Sequence, residues 1–159
     1  KLSRGDYRDG IIASCLYYAC RQLDVPRSPQ EISHMCEINP SDLTRGKNLF
    51  YEVLKNTNIV DFDKGQASYT DFLERYCHLL GIAQKMIDII SAFTQRVDNL
   101  KILTKNNPQS MICGCIYFIS VMYNLGLTKQ IISSQCHTSI PTVTKVYEKL
   151  THYTDYLIT

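Results

Sequence analysis

The sequence contains no tryptophan, and its seven glycines and five prolines are scattered thinly over 159 residues. Scarce glycine argues against a chain built of tight hairpins, and no segment alternates apolar with polar residues over a strand's length. Both absences exclude an all-β design. The seven cysteines are odd in number and include no CxxC pair, which excludes a disulfide framework and fits a reducing compartment. Cys15, Cys20, Cys113 and Cys115 lie within apolar runs and are expected to be buried as small hydrophobes. The longest apolar run, residues 111–122, is 12 residues, against the roughly 20 that a membrane span needs. No signal-peptide pattern opens the chain, and Lys1 does not look like a natural beginning. GxSxG, GxxxxGK[ST] and HExxH are all missing, as is any clustered His/Asp set. No enzyme is visible. The His–Cys neighbours at His34 and Cys36, Cys77 and His78, and Cys136 and His137 lack the C-x₂₋₄-C spacing of structural zinc. The stretch is therefore expected to use no cofactor, no metal and no small-molecule substrate.

Charge of one sign is also lacking overall, with 17 Lys plus Arg against 15 Asp plus Glu, so a histone-like polycation is excluded. The distribution is uneven, however. Residues 99–150 carry five lysines against Glu148, a net of +4, whereas residues 61–98 carry four bases against six acids, a net of −2. A basic C-terminal part beside an acidic middle points to a surface that faces a polyanion.

The chain does contain an internal repeat. Shifted by 100 positions, residues 9–50 fall on residues 109–150 without a gap. Ile12/Ile112, Cys15/Cys115, Tyr17/Tyr117, Gln30/Gln130, Ile32/Ile132, Ser33/Ser133, Cys36/Cys136 and Thr44/Thr144 are identical. A period this long is too large for a solenoid and marks a duplicated domain.

Local punctuation places three helices in each copy. In the first, residues 9–23 form a nearly all-apolar helix, hence a central buried one. Ser28-Pro29-Gln30-Glu31 is a capping box with proline at the first helical position, and Asn39-Pro40-Ser41-Asp42 opens a third helix that runs to about Lys55. In the second copy, Asn107-Pro108, Thr128 and Ser139 open the corresponding three. Two further helices precede them: residues 68–80, with Gly81 as the stop, and residues 83–100. The second copy thus has five helices, while the first begins with its third and reads as truncated at its N-terminus. The expected domains are 1–58 and 59–159, joined through a polar linker at 56–66. A helix-turn-helix is expected at 128–150.

Residues 5–22, Gly-Asp-Tyr-Arg-Asp-Gly-Ile-Ile-Ala-Ser-Cys-Leu-Tyr-Tyr-Ala-Cys-Arg-Gln, followed by Val25-Pro26-Arg27-Ser28-Pro29-Gln30-Glu31-Ile32, resemble the repeat signature of the transcription initiation factor IIB family. The second copy is more diverged, but Ile116-Tyr117 and Gln130-Ile131-Ile132 keep the frame. Asp6 departs from the Lys or Arg usual after the glycine. The resemblance implies an all-α fold of tandem cyclin-like five-helix repeats. It also implies a non-enzymatic general initiation factor core that binds promoter DNA together with the TATA-binding protein and helps recruit RNA polymerase. Zinc is expected only in the family's N-terminal ribbon, which precedes this stretch. The competing reading of the fold is a cyclin-type kinase activator or a peptide-binding adaptor.

A short helix, a turn and a longer helix form the layout in which the second helix's N-terminal residues reach base edges. The candidate DNA-binding residues there are Lys129, Ser139, Pro141, Thr142, Thr144, Lys145 and Lys149, together with Arg4 in the loop before the first copy's central helix. The family's base-reading positions fall on Pro141 and Thr144. Threonine cannot make the bidentate guanine contact of an arginine, worth about 1–3 kcal/mol of discrimination, so sequence preference is expected to be weak or altered. In the first copy Arg8, Arg27, Arg45 and Lys47 are the candidates for binding the TATA-binding protein or DNA. Arg21 is expected to serve the repeat internally. High isoleucine, tyrosine and asparagine content suggests an AT-rich genome. Localisation is expected at the site of transcription: the host cytoplasm for a cytoplasmic DNA virus, the nucleus for a eukaryotic cell.

Overall fold

The computed structural model describes residues 6–55, 68–104 and 106–158, with the side chains of residues 6 and 7 left out of account. Arg4, Lys105 and the linker at 56–66 lie outside the described residues. Among those described there is no strand. The chain divides into two units, Lys1–Ala67 and Ser68–Thr159. The first contains α1 (Asp6–Gln22), α2 (Pro29–Met35) and α3 (Pro40–Lys55). The second contains α4 (Thr70–Leu79), α5 (Gln84–Asn99), α6 (Pro108–Met122), α7 (Lys129–Gln135), α8 (Ile140–Thr151) and α9 (Thr154–Ile158).

Helix starts fall where the punctuation puts them. Ser28 caps α2 in a reciprocal capping box: its hydroxyl accepts from the Glu31 amide, and the Glu31 carboxylate accepts from the Ser28 amide at 2.7 Å. Asn107, Thr128 and Ser139 cap α6, α7 and α8, each accepting from the amide three residues on. Such caps satisfy N–H groups that the helix itself leaves without partners. Gly81, at φ +66°, ends α4. The short α9 carries no such signal and was not expected.

The duplication reaches into the backbone. Secondary structure over residues 11–50 repeats residue for residue over 111–150. So do the left-handed positions held by residues other than glycine, while Gly126 (φ 74°) stands opposite Pro26. Asp24 (φ 56°) pairs with Asn124 (φ 53°) after the central helix, and Glu37 (φ 53°) pairs with His137 (φ 48°) in the following turn. Non-glycine residues adopt this region at a cost of about 1–3 kcal/mol, so a coincidence at both places is informative about shared architecture.

In the second unit α6 is the central helix. Ile112, Cys113, Cys115, Ile116 and Ile119 are buried, and α4, α5, α7 and α8 pack on it. Phe72, Tyr76, Ile87, Ile90, Phe93 and Val97 supply the covering core from α4 and α5. Burial pushes the Cys115 thiol up to about 12, offset in part by a hydrogen bond with Thr94.

The first unit corrects the expectation that its central helix is buried. Here α1 packs on α3 and α2, around Ala13, Ile32 and Leu43. Its opposite face, with Ile12, Cys15, Leu16 and Ala19, is exposed. Ile12 is 55% exposed where Ile112 is 0%. The physical reason is that α4 and α5, which cover this face in the second copy, have no counterparts among the described residues of the first. Cys15 is accordingly exposed and Cys20 half-buried, not core as expected.

Both copies cross the central and last helices closely, and each uses glycine to do so. In the first copy a Cβ on Gly10 would lie 2.5 Å from the Asp42 carbonyl oxygen, and one on Gly46 would collide with the Gly10 carbonyl. In the second copy the glycine sits on the central helix: a Cβ on Gly114 would collide with the Val146 side chain. The repeat pairs Gly46 with Val146 and Ser14 with Gly114, so the small residue has changed helix.

Candidate functional site

Residues 129–151 form a helix, a four-residue turn and a longer helix. Val143, Val146 and Leu150 bury one side of α8, and Ile132 anchors α7. The buried spacing of three and four residues leaves Pro141, Lys145 and Glu148 exposed on the opposite side, with Thr142, Thr144 and Lys149 half-buried at its margins. Ser139, Pro141, Thr142, Thr144 and Lys145 therefore gather at the leading edge of α8, and Lys149 follows one turn on. Glu148 also belongs to this face, so its net charge is +1.

Several of the polar groups are already engaged. Ser139 Oγ accepts from the Thr142 amide at 3.3 Å and lies 2.7 Å from Thr142 Oγ1. These hydroxyls thus hold the helix start, Pro141 has no N–H to offer, and a phosphate there would meet chiefly the helix's positive end. Among the described residues Lys145 and Lys149 make no ion pair.

Lys129, at the first position of α7, is half-buried over two aromatic rings. Its ammonium lies 5.4 Å from the Tyr117 ring centre and 5.8 Å from that of Tyr147, and the two rings meet edge to face at 5.0 Å. A cation so placed is held by the negative ring faces. In the first copy Lys47 occupies the position of Tyr147 and sits 4.1 Å over Tyr17, the equivalent of Tyr117. The same aromatic therefore carries a lysine in both repeats, supplied by α7 in one and by α3 in the other.

The remaining first-copy candidates are scattered. Arg8 is exposed on α1. Arg27 is half-buried and donates to the carbonyl of Val25 at 3.0 Å, within its own loop. Arg45 is exposed but pairs with Asp42 at 3.6 Å. Threonine replaces that acid at position 142, so Lys145 presents a charge that Arg45 shares with its neighbour. Arg21 donates to the Tyr17 hydroxyl at 3.5 Å and lies over its ring, a role within the repeat. Among the described residues, no group of three or more His, Cys, Asp or Glu is placed to hold a metal, and no helix is long and apolar enough to cross a membrane.

Residues 1–53 match the family described as the transcription factor TFIIB repeat. The chain is 31% identical over 158 residues to a transcription initiation factor IIB-like protein of Acanthamoeba polyphaga mimivirus, covering 98% of this chain and 34% of that protein. It is 29% identical over 159 residues to transcription initiation factor IIB of Oryza sativa subsp. japonica, covering 99% of this chain and 50% of the plant protein. Against transcription initiation factor IIB 1 of Thermococcus kodakarensis the identity is 25% over 153 residues, or 94% of this chain and 48% of the other. The chain thus spans between a third and a half of the length of these relatives. A matched repeat in the first unit, alignment through both units and a backbone duplicated at an offset of 100 agree: the chain is similar to transcription initiation factor IIB proteins along both of its units.

Proposed function

We propose that these two repeats form the core of a general transcription initiation factor that binds promoter DNA together with the TATA-binding protein and helps recruit RNA polymerase at the site of transcription. The observation that carries the reading is the α7–α8 helix-turn-helix. Its α8 has a leading edge of Ser139, Pro141, Thr142, Thr144 and Lys145, with threonine at 142 where the first copy pairs Asp42 with Arg45. The positive end of α8 and the nearby lysines suit phosphate contact. Thr144 at the expected base-reading position supports binding with little sequence discrimination, because one hydroxyl cannot replace a bidentate guanidinium. Arg8, Arg27, Arg45 and Lys47 are the proposed partner-binding residues of the first repeat, with Arg45 and Lys47 weakened as free cations by Asp42 and Tyr17.

The test is a mobility-shift titration of the chain on TATA-containing duplex DNA, with and without the TATA-binding protein. A salt-sensitive complex that becomes tighter with the TATA-binding protein is expected. Absence of any shift, together with co-purification of a kinase, would sink the reading.

A further inference from the structure

Gln109, the second residue of α6, is buried at 5% exposure. Its side-chain amide crosses to the turn between α7 and α8. There Nε2 donates to the Cys136 carbonyl at 2.7 Å and to the His137 carbonyl at 3.3 Å. These carbonyls stand where a helix end leaves its acceptors without intrahelical donors. The next carbonyl, of Thr138, accepts from Ser133 Oγ at 2.6 Å. Three successive turn carbonyls therefore take side-chain donors, and the residue after them is the cap of α8.

The first copy makes the same turn without this brace. Its position 9 is Asp9, exposed and, as a carboxylate, unable to donate to a carbonyl. Ser33 Oγ, the equivalent of Ser133 Oγ, is buried and has no hydrogen-bond partner among the described residues. Yet Glu37 and His137 share the left-handed conformation. The brace is thus not needed to form the turn.

We propose that Gln109 is a positioning residue for α8, holding the helix's leading edge at a fixed angle to α6 so that Pro141, Thr142 and Lys145 meet DNA in one register. The inference rests on the proposed DNA contact of α8. Its reach is distinct from that of the lysines: they set how strongly the face attracts phosphate, whereas Gln109 sets where the face points.

Gln109→Met keeps the length and removes both donors; Gln109→Glu keeps the shape and puts an acceptor against the two carbonyls. Both are compared with wild type at a temperature where far-UV dichroism shows full helix content. Amide exchange at residues 137–143 is expected to speed up about tenfold, with residues 37–43 unchanged. Affinity for a TATA-containing duplex is expected to fall about tenfold and the slight preference over a scrambled duplex to shrink further, while the salt slope stays the same because the lysines remain. Unchanged turn protection, or faster exchange with unaltered affinity and preference, would overturn the inference while wild-type binding keeps the parent reading. Failure of wild type to bind either duplex would remove both.

Discussion

The central helices α1 and α6 occupy equivalent places in two copies of one backbone, and their surroundings differ more than their paths. Ile112, Cys115 and Ile116 are sealed beneath α4 and α5, while Ile12, Cys15 and Leu16 face outward. Two of those three pairs are identical residues and the third is conservative. The same side chain is core in one copy and surface in the other, which separates what a helix's own sequence determines from what its neighbours supply. The helix forms in both. Burial, worth about 1.5–3 kcal/mol for a side chain of this size, is conferred only where a second layer is present.

The sharpest way to break the comparison is at the glycine crossings. Gly46→Val, which gives the first copy the residue of the second, drives a branched side chain into the Gly10 carbonyl. A loss of at least about 3 kcal/mol is expected, at or beyond the usual cost of overpacking because backbone rather than side chain stands in the way. Hydrogen exchange would read it as lost protection in α1 and α3 with the second unit retained. The reciprocal swap tests the coupling. Gly114→Ser with Val146→Gly reproduces the first copy's pair, and the double variant is expected to cost less than the two singles together by about 1 kcal/mol or more. Strict additivity in urea unfolding would show that the two sites do not read each other.

A third comparison separates the central helices. Ile112→Ala is expected to cost about 2–5 kcal/mol and Ile12→Ala under about 1 kcal/mol, since only the first leaves a cavity. Equal costs in chemical denaturation would mean that the face of α1 is covered after all. The smallest effect distinguishes Lys145 from Arg45. Lys145→Ala is expected to lower the salt slope of DNA binding by about one, and Arg45→Ala by less, because Asp42 already shares its charge. The reverse order, measured by binding titrations at several salt concentrations, would reassign the phosphate-facing helix to the first repeat.

Helix positions were legible in the sequence because their causes are local. Ser28, Asn107, Thr128 and Ser139 act on amides three residues away, and a proline one residue after the first two and two residues after Ser139 restricts the chain in the same turn. The helix-turn-helix followed from the same signals. Burial of α1 was not legible, because apolar composition records what a helix can bury and not what is there to bury it. The cation–aromatic seat of Lys129 and the Gln109 brace join residues 12 to 28 positions apart, beyond any local pattern. One signal did exist for the brace: the repeat aligns Gln109 with Asp9, an amide donor opposite a residue that cannot donate. The glycines were visible only as isolated residues, since their importance lies in the partner helix. Short α9, anchored by Leu157 alone among its buried residues, has too little periodicity to stand out.

The exchanged glycine also bears on heredity. While both copies kept the same crossing, a segment of one could replace its counterpart by recombination without loss. With Gly46 opposite Ser14 in one repeat and Val146 opposite Gly114 in the other, a transplanted α8 would bring its valine against Gly10. A transplanted α3 would leave a gap beside Gly114. Each helix is matched to its own partner, so exchanging α3 and α8 without their central helices is expected to destabilise both copies.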